Sequence, residues 1–101
     1  MPVDRIVLVK LDGPYATPAG RAEVAAHTRT VFAKLPGVTD LRVGVPADDA
    51  AEKSWDLSIT VRFARLADVD AYRVHPDHRT YVDEYLAPRM QVLKAWNFEL
   101  P

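Results

Sequence analysis

The pattern of apolar and polar residues predicts four β-strands. Segment 55–63 (WDLSITVRF) gives the clearest signal, because apolar and polar residues alternate along its whole length. Segments 3–11, 38–45 and 91–100 show the same period of two. In segment 3–11 both faces are apolar, so this strand needs cover on both sides.

Apolar positions three and four residues apart predict two helical regions. The first begins with Thr17 as N-cap and Pro18 as the first helical residue, and it ends at the Pro-Gly pair 36–37. The second covers 66–89 and is broken after Val74. The break follows because the next proline lacks an N–H and excludes helical geometry from the residue before it.

The order of the predicted elements is β-α-β-β-α-β. This order consists of two β-α-β units. Together they form a four-stranded antiparallel sheet with helices on one face, which is the ferredoxin-like α+β plan. We therefore expect one domain over residues 1–101. Helices cover only one face of such a sheet, and the other face also carries large apolar side chains. We therefore expect a homodimer through the open sheet face.

Composition argues against several classes of function. The formal net charge of -1 and the pI near 6.3 argue against nucleic-acid binding, which needs a basic face. The absence of cysteine rules out disulfides, thiol catalysis and zinc–thiolate sites. No apolar run approaches the roughly 20 residues of a membrane span, and the first residues lack the basic region of a secretory signal. We expect a cytoplasmic protein with no membrane partner.

Candidate chemistry concentrates at the His-Pro-Asp-His sequence 75–78. Pro76 fits the first position of a new helix, which places His75 at the N-cap and both Asp77 and His78 in the first turn. The helix dipole there favours a neutral imidazole at His78, whereas the neighbouring Asp77 favours a charged one. The charge of His78 therefore stays open, although a neutral imidazole could act as a general base.

The helix after His78 carries phenols and aliphatic side chains at helical spacing. These residues are Tyr81, Val82, Tyr85 and Leu86. Two interpretations remain open: a structural helix break with tyrosines at the rim of the core, or a pocket whose polar groups bind a ligand or transfer protons. His27, at the edge of the apolar stripe of the first helix, is either a boundary residue or a further ligand-binding side chain.

Two groups of residues could hold a metal ion. Asp48 and Asp49 lie in the polar segment 46–54, which predicts a mobile loop, but an isolated pair supplies too few ligands for a hard cation. The second group is the pair of histidines in 75–78 with the aspartate between them. A helix break lies within this group, so the sequence does not fix their side chains around one ion. We therefore predict no metal site and no cofactor.

The chain resembles the stress-responsive α/β-barrel (Dabb) family of dimeric ferredoxin-like proteins over nearly its whole length. The resemblance rests on IVLVKL in the first strand, LPGV at the end of the first helix, the WDLSITVRF strand and, above all, AYRVHPDHRTYVDEYL. The last segment is similar to the Tyr-x-x-His-Pro-x-His motif of the family and the aromatic residue that follows it. The resemblance implies a dimer whose two sheets close a barrel, with a pocket between the sheet and helices of each protomer.

The resemblance leaves three functions open. The first is a stress-responsive or small-molecule-binding protein whose internal pocket holds a small aromatic or acyl ligand. The second is a cofactor-free enzyme of the polyketide cyclase kind, a branch in which the motif tyrosine and second histidine, here Tyr72 and His78, carry acid–base chemistry. His78 would remove a proton alpha to a carbonyl, and Tyr72 would donate to the enolate oxygen. The third is a cofactor-independent monooxygenase, in which Trp55 and Trp96 would flank an aromatic substrate.

One position departs from the cyclase branch. That branch has a histidine at the start of the first strand, where this chain has Arg5. Arginine cannot act as a base at neutral pH, but it could hold a carboxylate or an enolate. We predict His78 and Tyr72 as the catalytic residues if the protein is an enzyme. The predicted ligand-binding residues are Arg5, His27, Trp55, His75, Tyr81 and Tyr85.

Overall fold

The chain folds into four strands and four helices, and the computed structural model describes all 101 residues. The strands are β1 (Val3–Leu11), β2 (Asp40–Gly44), β3 (Leu57–Phe63) and β4 (Met90–Glu99). The helices are α1 (Pro18–Phe32), α2 (Asp49–Ser54), α3 (Leu66–Val74) and α4 (Pro76–Thr80). A π-helical turn (Tyr81–Leu86) and a 3₁₀ turn (Ala87–Arg89) follow α4. None of these helices has the length and apolar character needed to cross a membrane.

The four strands form one antiparallel sheet in the order β2-β3-β1-β4. β1 lies inside the sheet, where Val3 is opposite Phe63 of β3 and Val9 is opposite Leu57. β4 pairs along the other edge of β1. This strand order is that of the ferredoxin-like fold, so the predicted α+β architecture is confirmed.

The helices cover one face of the sheet only. On that face, side chains such as Val9 and Val61 are fully buried in the core. On the opposite face, Trp96 is 48% exposed and Phe98 is 52% exposed. Ile6 of β1 lies directly across from Trp96, so the apolar character of this open face continues into the middle of the sheet.

Segment 46–54 was predicted to be a loop, and this prediction was wrong. Residues 49–54 form helix α2, and Asp48 is its N-cap, because the Asp48 side chain accepts a hydrogen bond of 2.9 Å from the backbone N–H of Ala51. Aspartate is a favoured N-cap residue, and the alanines, glutamate and lysine after it are good helix formers. Polarity alone therefore misled the prediction, since a short exposed helix needs no apolar stripe.

The predicted strand 55–63 begins two residues later than expected, at Leu57. Asp56 was expected on a polar face with Ser58, but it is buried instead. One Asp56 carboxylate oxygen accepts a hydrogen bond of 2.9 Å from Nε of Arg21, and the other accepts one of 2.7 Å from the backbone N–H of Leu11. These bonds join α1, β1 and the start of β3, and a carboxylate that is buried needs such partners.

Three other boundaries shift by small amounts. β2 covers Asp40–Gly44 rather than 38–45, because it is an edge strand whose pairing with β3 covers only these residues. α1 ends at Phe32, and the backbone N–H of Leu35 bonds back to Phe32 in a tighter turn before the Pro-Gly pair. β4 begins and ends one residue earlier than predicted.

The Arg21–Asp56 pair gives a stability prediction. We expect Asp56→Ala to lower the free energy of unfolding by about 3–5 kcal/mol, because it leaves the buried guanidinium of Arg21 without its partner. Urea denaturation followed by circular dichroism measures the loss. The matched control is Glu52→Ala, since Glu52 lies 3.9 Å from the same guanidinium but is mostly exposed; its loss should be much smaller. Equal losses of unfolding free energy in the two variants would show that the buried Arg21–Asp56 pair contributes no more than the exposed contact between Arg21 and Glu52.

Candidate functional site

The candidate site is organised by the break between α3 and α4. α3 ends at Val74, and His75 adopts extended backbone angles (φ −61°, ψ 135°) before Pro76 opens α4. Nδ1 of His75 accepts a hydrogen bond of 3.1 Å from the backbone N–H of Asp77. The prediction that His75 is the N-cap of a new helix is therefore confirmed, and its Nδ1 is occupied by this structural role.

The same break fixes the hydrogen bonding of His78. In a continuous helix, the carbonyl of Arg73 would accept the backbone N–H of Asp77, but that N–H is bound to His75 instead. The Arg73 carbonyl lies 3.1 Å from Nδ1 of His78. A carbonyl oxygen can only accept, so Nδ1 carries the proton and Nε2 of the neutral ring has a free lone pair.

His78 is only 9% exposed, and its ring packs 4.2 Å from the ring of Tyr72, centroid to centroid. Burial lowers the pKa of His78 below its usual 6.5, and although the hydrogen bond to the Arg73 carbonyl opposes this shift, the nearby arginines lower the pKa further. The charge that the sequence left open is thus decided by burial, and His78 is neutral at pH 7. A neutral imidazole with a free Nε2 can accept a proton or a hydrogen bond.

Tyr72 lies at the end of α3 and is almost fully buried. Its ring packs against Phe63 at 5.0 Å and against Phe32 at 5.9 Å, so the ring is held between β3 and α1. Burial raises the pKa of the Tyr72 phenol strongly, and the positive charge of Arg5 offsets part of that rise. The phenol therefore keeps its proton and can donate a hydrogen bond.

Arg5 enters the site from β1. Its Nη1 donates a hydrogen bond of 3.1 Å to Oδ1 of Asn97, its neighbour across the β1–β4 pairing. Burial lowers the pKa of Arg5, but an arginine side chain remains a cation near neutral pH. Sequence reasoning missed Asn97, because no local pattern shows which residue of β4 lies opposite Arg5.

These side chains meet at a cavity of about 150 Å³ between the sheet and the helices. Arg5, Tyr72, His78 and Tyr81 supply its polar groups. The apolar part of the wall consists of Val7, Phe32, Ile59, Val82, Leu86, Leu93 and Ala95. Four of the eight predicted site residues therefore converge on one cavity, which combines a cation, a phenol donor and a neutral imidazole.

Arg73 and Arg79 also line the cavity, and sequence reasoning missed both. Their signal was present in the sequence, since they flank the His-Pro-Asp-His step two residues before it and one residue after it. The sequence analysis singled out neither of them, and both side chains are exposed.

The rings of Tyr81 and Tyr85 stack on each other after His78, with 5.7 Å between their centroids, as their helical spacing predicts. Tyr81 and Leu86 are buried in the core, whereas Tyr85, in the same π-helical turn, is partly buried at the rim of the core. The Tyr81 hydroxyl bonds to Oγ1 of Thr28 at 2.6 Å, and burial raises the pKa of Tyr81 to about 12. The Tyr85 ring also stacks on His27 at 3.8 Å, in a groove against α1 that Tyr81 lines as well.

Trp55 lies apart from the cavity. Since β3 begins only at Leu57, Trp55 is not part of the sheet. It borders a depression together with Leu8 and Ser58, two residues of the open sheet face. Trp96 lies on the open face as well. The two tryptophans therefore do not flank the cavity that holds His78, and the chain brings no group of three His, Cys, Asp or Glu side chains close enough to hold a metal ion.

Comparisons with known proteins agree with this fold. The sequence profile of a family described as Dabb, Stress responsive A/B Barrel Domain, matches residues 3–99. A Dabb family protein with a ferredoxin-like fold from Mesorhizobium loti superposes with a TM-score of 0.83 at 16% identity, over 99% of this chain and 97% of that one. None of the curated proteins gives a significant match.

Two further solved structures share the fold. A dimeric ferredoxin-like protein of unknown function from Thermobifida fusca has a TM-score of 0.81 and 24% identity, over 99% of this chain and 92% of that one. The hydroxynitrile lyase from Passiflora edulis has a TM-score of 0.79 and 14% identity, over 99% of this chain and 94% of that one. At these identities the likeness establishes the fold and not the reaction.

The burial of His78 gives a prediction for its titration. We expect its pKa, measured by the pH dependence of the imidazole Cε1 proton in NMR, to lie below 6.5. The unfolded chain then binds this proton at higher pH than the folded chain does. The stability that depends on a neutral His78 is therefore complete above about pH 6.5 and is lost as the pH falls through the folded-state pKa.

The variant His78→Gln provides the control for this pH dependence. This variant lacks the titrating imidazole. As the pH is lowered below about 6.5, its free energy of unfolding should therefore decrease less steeply than that of the wild type. A folded-state pKa above 6.5, with a stability that rises as the pH falls, would contradict the assignment of His78 as a buried neutral imidazole.

Proposed function

Since this chain belongs to the stress-responsive A/B barrel domain family, we propose that it is a homodimeric small-molecule-binding protein whose ligand occupies the cavity between sheet and helices. One observation carries the proposal: Arg5, Tyr72 and His78, from β1, α3 and α4, converge on that cavity. A few polar groups that converge in a mostly apolar hollow are typical of ligand sites. A chain that needed only a filled core would gain nothing from placing a cation and an imidazole there.

The size of the cavity limits the ligand. A hollow of about 150 Å³ has the volume in which an engineered apolar cavity binds benzene. The ligand is therefore a small aromatic or acyl molecule with one oxygen-bearing group. The apolar walls receive its body, and the polar groups receive its oxygen atoms.

The open face of the sheet supports the homodimer. Trp96, Phe98 and Val92 of β4 are exposed there, and large apolar patches of this kind mark association surfaces. The structurally similar protein from Thermobifida fusca is described as dimeric. Two copies that pack sheet to sheet would cover these side chains and close the barrel, while the cavity of each protomer stays on the helix side of its own sheet.

A cofactor-free enzyme of the polyketide cyclase kind is the second candidate, and the state of His78 favours it. Its Nδ1 is held by the Arg73 carbonyl, so the free Nε2 is the basic atom. Nε2 would take a proton from the carbon alpha to a carbonyl, and the C–H electron pair would pass to the carbonyl oxygen. The Tyr72 phenol and Arg5 would stabilise the resulting enolate.

The ring closure then follows from this enolate. Its carbon would attack a second carbonyl of the same molecule, which forms the new C–C bond. The proton held by His78 would return to the alkoxide oxygen that this attack creates. A placed acid or base contributes roughly a hundredfold or more to such a rate.

The homodimer gives a prediction about mass. We expect wild-type protein at micromolar concentration to sediment at twice the 11.3 kDa of one chain. Trp96→Glu, which places a charge on the open face, should shift it toward the single-chain mass because a buried charge without a partner is costly. The control is Val74→Glu, since Val74 is 74% exposed on the helix side. A wild type that sediments as one chain would contradict the dimer.

The ligand-binding proposal is tested with a panel of small aromatic and acyl compounds. We expect at least one to raise the thermal unfolding midpoint, because a ligand at 100 times its Kd stabilises the folded state by about 2.7 kcal/mol. Ala95→Phe fills the cavity and should abolish this shift, whereas Val74→Phe, on the exposed side of α3, should leave it unchanged. Failure of the whole panel, or equal shifts in both variants, would refute binding in this cavity.

Proton exchange separates the enzyme from the binding protein. If the bound compound carries a hydrogen alpha to its carbonyl, an enzyme would exchange that hydrogen for deuterium in D₂O, as NMR can follow. His78→Gln should then slow the exchange roughly a hundredfold while the compound still binds. Exchange at the uncatalysed rate by wild-type protein would leave binding as the function and exclude the acid–base role of His78 for that compound.

A further inference from the structure

The cavity carries an excess of positive charge that the chain as a whole does not. Three arginines line it, namely Arg5, Arg73 and Arg79, and no aspartate or glutamate is among the lining residues. The whole chain, in contrast, has 13 basic and 14 acidic residues and a formal net charge of -1. The positive charge is therefore a local property of the hollow.

Arg5 differs from Arg21 and Arg62, which are also partly or fully removed from water. A fourth such arginine, Arg89, lies outside the cavity, donates a hydrogen bond of 2.8 Å to the Tyr85 carbonyl and packs over the Tyr85 ring. Arg21 is buried, and its Nε bonds to the Asp56 carboxylate at 2.9 Å. Arg62 holds both oxygens of Asp4, at 2.8 and 3.2 Å. Arg5 is also partly buried, but its one hydrogen bond within the chain goes to the neutral amide oxygen of Asn97.

A guanidinium that leaves water without an anionic partner raises the free energy of the folded state. The chain supplies a carboxylate to Arg21 and to Arg62 and withholds one from Arg5. The bond from Nη1 to Asn97 holds the guanidinium in place and leaves its other N–H groups free. Two of these groups in parallel match the spacing of a carboxylate, which arginine binds in a bidentate manner.

From this arrangement, and on the basis of the ligand-binding role proposed above, we propose that the cavity selects small carboxylates, with the carboxylate group at Arg5 and an apolar body against the sheet. The phenol of Tyr72 adds a neutral donor on the same side of the cavity. The apolar body lies among residues such as Ile59, Leu93 and Ala95. The volume of about 150 Å³ admits a single six-membered ring or a short acyl chain.

Arg73 and Arg79 have a weaker role in this site. Both are exposed, and Arg79 forms an ion pair of 2.6 Å with Asp83 on the surface of the helix. They raise the positive potential at the cavity, which favours the entry of an anion. Since solvent screens exposed charges, Arg5 supplies most of the discrimination between a carboxylate and a neutral ligand.

The experiment compares benzoate with benzamide, which has nearly the same shape and no charge. Isothermal titration calorimetry measures both dissociation constants, and NMR shifts of His78 and of the Ala95 methyl group locate the ligand. For the wild type we expect benzoate to bind at least about tenfold more tightly than benzamide, the effect of one charge-assisted hydrogen bond. Arg5→Gln should reduce this preference to about threefold or less.

Matched variants separate the effect of Arg5 from the general effect of removing an arginine. Arg65→Gln removes an exposed arginine that does not line the cavity and is paired with Asp68 at 3.4 Å, and it should leave the preference for benzoate unchanged. If Arg5→Gln does not fold, Arg5→Lys serves instead. It keeps the charge but not the planar fork, so it should retain a preference smaller than that of the wild type.

The outcomes distinguish this proposal from the one on which it rests. If benzamide binds as tightly as benzoate and shifts the same His78 and Ala95 signals, the ligand site stands and the preference for carboxylates is refuted. A full preference for benzoate in Arg5→Gln would likewise refute the role of Arg5. If neither compound shifts these signals and no compound of the wider panel binds, the ligand site itself is refuted.

Discussion

One hydrogen bond, from Nδ1 of His78 to the carbonyl of Arg73, determines what this site can do. The bond exists because Pro76 interrupts the helix and His75 takes the backbone N–H of Asp77 that would otherwise fill that carbonyl. The same interruption brings the end of α3 beside the start of α4, so the rings of Tyr72 and His78 lie 4.2 Å apart. A backbone break thereby fixes both the position and the tautomer of the imidazole.

The layer arrangement explains why a cavity and an open surface coexist in so small a chain. The helices cover the sheet over β1 and β3, where Val9, Val61 and Phe63 are fully buried. They cover β4 less completely, and Leu93 and Ala95 of this edge strand form part of the cavity wall. The other face of the sheet has no helix at all. The helix side thus provides the candidate site, and the bare side provides the surface that we propose for a second copy.

Much of the fold followed from the sequence, because its signals are local. The alternation from Leu57 to Phe63 and the proline at 76 each act over a few residues, and both gave the right element. The prediction errors lie at residues whose orientation depends on a partner that is distant in the sequence. Asp56 turns inward because Arg21, 35 residues away, bonds to its carboxylate, and the π-helical turn over Tyr81–Leu86 had no signal in the spacing of the residues. The contact between Arg5 and Asn97 depends on the register of β1 against β4, which only the folded sheet fixes.

The tautomer of His78 is the most direct test of this account. Long-range ¹H–¹⁵N correlation NMR of the imidazole, recorded well above its pKa, distinguishes a protonated nitrogen from an unprotonated one. We expect a proton on Nδ1 and a free lone pair on Nε2, and we expect Pro76→Ala to weaken this preference. A proton on Nε2 in the wild type would contradict this tautomer. Nε2, the atom that we expect to face the ligand, would then be unable to accept a proton.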